Sequence, residues 1–348
     1  NGVVLVTTKS GSEGHTSVNY TSKATLQSFS KRPMMDRDNM LEYLRLEYGN
    51  EFVDNNLKDY DYKHPMYENG IIDTDGIDAY TEPTWSQQHS ISVSGGNKNG
   101  HYFASINYVK DDGIVRGKKD VYNRLTSQVN ADYNIFKWLQ VGTNNSIEKW
   151  STQSVSQRGY SSSFESMLLM DPTTPVYWTT PEEMSAAVKL VYDKLQAGTS
   201  EIPYTLFRDE NGWYANTKYS DAEGSALAKR DASNSQNGGF NINGTMFANL
   251  TPIKGLTITS RLGYRLNYST SHSYSTPYYI GERGSQTTYS ISAGANTGWY
   301  YQWENFANYI KDFGKHSITA MAGMSYRESH SDNVSGSASG ADILSSYE

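Results

Sequence analysis

Short segments in which apolar and polar residues alternate constrain this chain more than any other feature. The clearest example lies within residues 85–124, where residues 89–94 alternate, a Gly95-Gly96-Asn97 turn follows, and residues 102–109 alternate again. Period-two alternation on both sides of a Gly/Asn turn predicts a β-hairpin. The same pattern recurs along the chain and predicts about nine strands. These cover residues 17–29, 89–94, 102–109, 122–135, 138–150, 240–250, 256–268, 299–312 and 316–328.

The connections between these segments are alternately short and long. Those after residues 94, 135, 250 and 312 are short, and the others are mostly long. Outer-membrane β-barrels have short turns at one end and long extracellular loops at the other. The fold predicted is therefore all-β: an antiparallel transmembrane β-barrel segment whose long loops carry short helices. Barrels with a plugged lumen have about 22 strands, so nine strands form part of a larger barrel. A soluble antiparallel sheet with decorated loops remains the alternative.

Composition agrees with a barrel and excludes several other classes. Mean hydropathy is −0.67, and no uninterrupted apolar run is long enough for a spanning helix. The 28 Tyr and 7 Trp suit the aromatic girdles of a barrel, and they also suit a soluble sugar-binding protein. The net charge of −7 argues against a nucleic-acid partner. The absence of cysteine excludes disulfides and Cys-based metal sites.

The long connections contain few regular patterns. Asp38 is a candidate cap for a short helix, and Pro181 opens a predicted helix through Leu195. Residues 151–236 and 269–298 read as polar loops, and the chain after Ser329 is rich in Ser and Gly.

No catalytic motif stands out. The seven histidines lack metal-ligand spacing, there is no G-x-S-x-G elbow or P-loop, and nothing distinguishes carboxylates such as Asp209 and Glu210 as an acid–base pair. We therefore expect ligand binding and not catalysis. Aromatic side chains in polar loops can stack on sugars, although packing within the loops is the alternative for each. These candidate substrate-binding residues are Tyr160, Tyr177, Trp178, Trp213, Tyr214, Tyr278 and Tyr279. Trp299 is a further loop aromatic of this kind.

One acidic segment resembles a calcium loop. Asp73, Asp75 and Asp78 lie close together, but the segment lacks the further ligand spacing and the terminal Glu of an EF-hand. Calcium is thus the one candidate metal, no cofactor is otherwise expected, and a solvent-exposed acidic loop is the simpler interpretation.

Three stretches carry a family resemblance. They are N-G-V-V-L-V-T-T-K-S-G at the start of the chain, the hairpin region 85–124 with its Q-H-x-x-S-V-S-G-G-N motif, and W-E-N-F-x-N-Y followed by F-G-K-H-x-I-T-A-x-A-G within residues 303–323. Together they resemble SusC/RagA-type TonB-linked outer-membrane transporters. The resemblance implies that residues 1–11 form the C-terminal end of a plug domain. It implies that residues 12–348 form the N-terminal part of the barrel of a longer protein.

The resemblance also implies a location and a function. It implies a multi-pass barrel in the cell outer membrane that imports oligosaccharides or peptides, with a SusD/RagB-like lipoprotein partner and energy from the TonB complex acting through the plug. Outer-membrane lipid would surround the barrel. Glycans and peptides both remain open as substrates. The alternatives are a β-rich glycan-binding surface module, a β-rich glycosidase with a paired carboxylate, and a TonB-dependent siderophore or cofactor receptor.

Overall fold

A computed structural model of the chain describes residues 9, 11–31, 33–57, 63–155, 162–216, 225–232, 234–281 and 285–340. Its main element is one antiparallel sheet of nine strands, as predicted. In sheet order these are β1 (Gly14–Gln27), β2 (Thr84–Asn97), β3 (Gly100–Asp112), β4 (Val121–Phe136), β5 (Leu139–Gln153), β9 (Asn234–Ile253), β10 (Leu256–Ser275), β11 (Tyr289–Phe313) and β12 (His316–Gly340). The shorter strands β6 (Tyr177–Trp178), β7 (Arg208–Asp209) and β8 (Gly212–Tyr214) lie in the connection between β5 and β9.

Every strand of this sheet pairs with its neighbour in chain order, so all four hairpin turns lie at one end. Two residues separate β2 from β3, β4 from β5, β9 from β10, and β11 from β12. Gly255 and Gly314 supply the left-handed backbone that such tight turns need, with φ of 90° and 60°. Residues 28–83, 113–120, 154–233 and 276–288 connect the strands at the other end. The predicted alternation of short and long connections is confirmed.

The strands near that other end are longer than the sequence predicts. The sequence predicts a loop over residues 269–298, but β10 continues to Ser275 and β11 begins at Tyr289, so Trp299 lies within a strand. The Ser/Gly-rich residues after Ser329 continue β12 to Gly340. These extensions pair with each other residue by residue, and this pairing satisfies backbone groups that the polar composition alone would assign to a loop.

The register gives the sheet two chemically different faces. Met246, Leu262 and Trp303 are directly paired neighbours on β9, β10 and β11, and their exposed fractions are 50%, 38% and 48%. We call this side the apolar face. Three residues further along β10, Asn243, Arg265 and Tyr300 are paired on the opposite side, which we call the polar face.

Exposed aromatic residues concentrate toward the two ends of the sheet. Tyr133, Phe136, Trp138 and Phe313 lie near the two-residue turns, and Trp85 and Tyr268 lie toward the long connections. Aliphatic side chains, including Ile91, Ile106, Val129 and Met321, fill the band between them. This arrangement is typical of a strand surface that meets lipid between two interfaces.

Within the described residues, six short α-helices lie in the long connections. They are α1 (Arg37–Tyr48), α2 (Asn50–Leu57), α3 (Gly76–Tyr80), α4 (Ser163–Leu168), α5 (Ala186–Gln196) and α6 (Ala226–Ala232). None of the helices within the described ranges is long and apolar enough to cross a membrane.

Two helix predictions need correction. The cap of α1 is Asp36, which accepts a hydrogen bond from the Asn39 amide at 2.9 Å, and not Asp38, which lies in the first turn. The single helix predicted from Pro181 is instead a 3-10 turn, Pro181–Glu183, followed by α5, because Met184 is extended between them.

The long connections pack together into one structural unit, which we call the cap. Its hydrophobic core takes Tyr80 from the first connection, Val115 from the second, Leu227 from the third and Ile280 from the fourth. Tyr80 and Leu227 are fully buried. The cap is therefore a folded layer over one end of the sheet and not a set of independent loops.

Candidate ligand-binding face and cap

The polar face holds a basin of about 440 Å³ centred on β10. Arg261, Gly263 and Arg265 follow each other on this face, and Gly263 provides the floor because a glycine leaves space where a side chain would stand. A Cβ added at Gly263 would meet nothing closer than the Gln302 carbonyl oxygen at 3.9 Å. Most of the remaining lining is hydroxyl and amide side chains from the flanking strands, including Gln128, Asn130, Asn144, Ser146, Asn243, Thr245, Tyr300 and Gln302.

Hydrogen bonds along β11 fix one side of the basin. The Tyr300 hydroxyl donates to the Gln302 side-chain oxygen, and the Gln302 amide donates to Glu304 Oε1 at 2.9 Å. Glu304 lies opposite Arg261, with 3.9 Å between its Oε2 and the Arg261 Nη1. The only acidic side chain that lines the basin in the described structure is thus directed at Arg261.

The other arginine has different surroundings. Arg265 is exposed and donates from Nε to Asn243 Oδ1 at 3.1 Å. Among the described residues no carboxylate lies within ion-pair distance of it. The Asn243 contact orients the guanidinium and leaves its two terminal nitrogens for a ligand.

The start of the described chain reaches the same face. The Asn130 amide, which lines the basin, donates to the Lys9 carbonyl oxygen at 2.6 Å. The prediction that residues 1–11 end a plug domain concerns residues that lie mostly outside the described ranges, and it stays a prediction.

Sequence reasoning did not single out the basin arginines. The signal was present, because R-L-G-Y-R at residues 261–265 puts Arg, Gly and Arg on the side of a predicted strand opposite Leu262. The partners on β9 and β11 follow only from the register.

Six of the seven predicted loop aromatics come together in the cap, and Tyr160 lies outside the described residues. Strands β6 (Tyr177–Trp178), β7 (Arg208–Asp209) and β8 (Gly212–Tyr214) form a small sheet in which Tyr177 pairs with Tyr214 and Trp178 with Trp213. Tyr278 packs on Phe207 and Tyr279 on Tyr204.

These aromatic side chains already have partners within the cap. Trp178 is 1% exposed, and Trp213 packs between Tyr192 and the Arg208 guanidinium. The Tyr177 hydroxyl donates to Asp209 at 3.0 Å; burial, with the hydrogen bond to that carboxylate, raises the pKa of Tyr177 to about 12. Burial and the nearby Asp231 also raise the pKa of Tyr214. Both hydroxyls therefore stay protonated near neutral pH and act as hydrogen-bond donors. Substrate binding by this set stays a prediction.

The three candidate calcium ligands each make a local contact. Asp73 accepts from the Arg37 amide at 2.9 Å, Asp75 caps α3 by accepting from the Ile77 amide at 2.8 Å, and Asp78 pairs with Lys31. Within the described ranges no group of three His, Cys, Asp or Glu side chains is placed to hold a metal ion.

Comparisons with known proteins find relatives by sequence and by fold. No family model matches the chain. The chain is 24% identical over 335 residues to TonB-dependent receptor P39 of Formosa agariphila, an alignment covering 93% of this chain and 27% of that protein. It is 29% identical over 180 residues to TonB-dependent receptor SusC of Bacteroides thetaiotaomicron, covering 51% of this chain and 16% of that protein. This chain therefore spans about a quarter or less of the length of these relatives.

Solved structures show the same fold. A chain of the RagAB peptide importer in its closed-closed state superposes with a TM-score of 0.71 at 20% identity, over 98% of this chain and 38% of that one. The open-open state of the same importer gives a TM-score of 0.68. These relatives are named as receptors and importers and not as enzymes. The comparisons confirm the predicted resemblance of this chain to the SusC/RagA-type TonB-dependent receptors.

Proposed function

We propose that this chain is part of the barrel wall and extracellular cap of an outer-membrane, TonB-dependent importer of glycans or peptides. The observation that carries the proposal is the nine-strand sheet itself. One face is apolar and exposed between two aromatic zones, the opposite face is polar, and the tight turns and the long connections lie at opposite ends.

The physical argument is that a soluble protein gains nothing from this arrangement. Large exposed apolar patches on soluble proteins are rare and mark interaction surfaces. A bilayer makes the same surface favourable, and the polar face then lines a wet lumen. The likeness to P39, SusC and RagAB over most of this chain supports the same interpretation.

The proposal includes partners. By analogy with the two-component RagAB importer, a lipoprotein of the SusD/RagB type would cover the cap, and the TonB complex would act through a plug that precedes the barrel. The cap is suited to such contact because its four connections share one core and hold a fixed surface.

Uptake by intact cells tests the proposal. The full-length gene is deleted, and cells are supplied with fluorescently labelled oligosaccharides and oligopeptides, with and without a protonophore. We expect loss of uptake of at least one labelled class on deletion. We also expect loss of the same uptake in wild-type cells when the protonophore removes the inner-membrane energy source.

Cell fractionation provides the control. The full-length protein should partition with the outer membrane and resist extraction by salt. Recovery in the soluble fraction, or uptake that the protonophore leaves unchanged, would contradict the proposal.

A further inference from the structure

The basin over Gly263 has a net positive charge that the described structure does not neutralise. Its charged lining consists of Arg261, Arg265 and Glu304. Glu304 is held toward Arg261 by the hydrogen bond from Gln302, and Arg261 also lies over the Phe306 ring at 5.7 Å. One charge of the three, that of Arg265, is left without a counter-charge.

From this charge balance we propose that the basin binds a carboxylate group of the imported ligand, with Arg265 as the principal contact. The proposal rests on the proposed function, because the polar face must line a lumen through which a ligand passes. The proposal also specifies the chemistry of the ligand, because the basin would favour acidic over neutral ligands.

The geometry of Arg265 fits this role. Its Nε is engaged by Asn243, which fixes the plane of the guanidinium. The two terminal nitrogens remain, and a planar guanidinium fork matches the two oxygens of a carboxylate. A lysine at this position would supply the charge without the fork.

The absence of a side chain at Gly263 leaves space for the carboxylate. Residues two apart on a strand are about 6.7 Å apart, so a side chain at position 263 would fill the space between the two arginines. The nearest atom to an added Cβ is 3.9 Å away. The gap is therefore open, and the structure would tolerate a small residue there. The amides and hydroxyls around it can bind the polar remainder of a ligand.

A carboxylate can come from two sources, an acidic peptide or a uronic-acid glycan, and the test separates them. Binding is measured calorimetrically on the full-length protein with its lipoprotein partner in lipid nanodiscs. The probes are trigalacturonate against its methyl ester, and a Glu-containing tetrapeptide, acetylated at its N-terminus and amidated at its C-terminus, against its Gln counterpart with the same blocked ends. We expect the wild-type protein to bind at least one acidic probe about 10- to 100-fold more tightly than its neutral counterpart, which is typical for a charged hydrogen bond.

Variants connect that preference to the basin. Arg265→Gln should abolish the preference, so that the acidic and neutral probes bind equally, and Arg265→Lys should keep part of it. Gly263→Leu should weaken binding of the acidic probe about as much as Arg265→Gln, because its side chain would fill the space between the two arginines. Arg327→Gln is the matched control, because Arg327 pairs with Gln302 on the polar face but does not line the basin.

Two results would overturn the inference. One is a wild-type protein that binds acidic and neutral probes equally, as expected if a carboxylate of the protein's own plug occupies the basin. The other is an acidic preference that Arg265→Gln leaves intact. If either result is found while labelled ligands are still imported in an energy-dependent way, the inference fails and the proposed function stands. Loss of outer-membrane localisation in the wild type would instead contradict the proposed function.

Discussion

Replacing Leu262 by arginine distinguishes a membrane-facing sheet from a soluble one. Leu262 lies on the apolar face between Met246 and Trp303, seven residues along β10 from the turn at Gly255. At about 3.3 Å per residue and a tilt of about 40°, this is roughly 18 Å above the turn, within an apolar band about 25 Å tall.

The expected loss of stability in the Leu262→Arg variant follows from that depth. An arginine on the lipid face near the middle of the bilayer costs about 2–4 kcal/mol, which corresponds to a folding equilibrium reduced about 30- to 700-fold at 1.4 kcal/mol per factor of ten. On a soluble protein, replacing a side chain that is already 38% exposed would change the free energy of unfolding by no more than about 0.5 kcal/mol.

The assay is reversible denaturant unfolding of the full-length protein in lipid vesicles. Ser325→Arg is the matched control, because Ser325 pairs with Glu304 on the polar face, at nearly the same height as Leu262. We expect the control to unfold like the wild type. Equal stability of the Leu262 variant and the control would refute the assignment of the apolar face to lipid.

Three further predictions concern the cap and the turns. His64 is fully buried, with Nε2 3.1 Å from the Tyr177 carbonyl oxygen and Nδ1 accepting from the Met66 amide. Because its loss leaves buried backbone groups unpaired, His64→Ala should destabilise the cap by about 2–4 kcal/mol, seen as faster proteolysis of the cap, whereas His316→Ala at an exposed turn should not. Burial raises the pKa of the Asp120 carboxyl from 3.8 to about 6, so the folded state keeps a proton that the unfolded state releases. The stability contributed by this group is present below about pH 4 and is lost as the pH rises toward 6; Asp120→Asn should remove that part of the pH dependence of the melting temperature, and an unchanged profile would contradict it. Gly255→Ala should lower the free energy of unfolding by about 1–2 kcal/mol or more, because φ is 90° and the new Cβ would collide with the Ile310 carbonyl oxygen. Gly263→Ala should leave the free energy of unfolding unchanged in the same assay.

The nine strands and their faces could be predicted because both are local properties of the sequence. Alternation identifies the strand, and the apolar parity identifies the face. The strand extensions to Ser275, from Tyr289 and to Gly340 could not be predicted in the same way. Their Ser, Gly and Asn composition is that of a loop, and only pairing between β10, β11 and β12 makes them strands.

The cap and the basin depend on contacts between distant parts of the chain. Val115 and Leu227 meet in one core although more than a hundred residues separate them. Trp178 and Trp213 belong to different polar segments, and only their pairing shows that one ring is buried. In the same way, the spacing of Arg261 and Arg265 is visible in the sequence. The position of Glu304, which pairs with Arg261 and leaves Arg265 without a counter-charge among the described basin residues, follows from the register with β11.

Lipid contact along β10 tests the central claim most directly. This chain contains no cysteine, so single substitutions Ile258→Cys, Leu262→Cys and Leu266→Cys on the apolar face, and Arg261→Cys and Gly263→Cys on the polar face, can each carry a fluorescent label. The full-length protein is reconstituted with brominated lipids, which quench only labels that touch acyl chains. The predicted result is strong quenching at 258, 262 and 266 and none at 261 and 263. Quenching at neither set, or equally at both, would contradict the account.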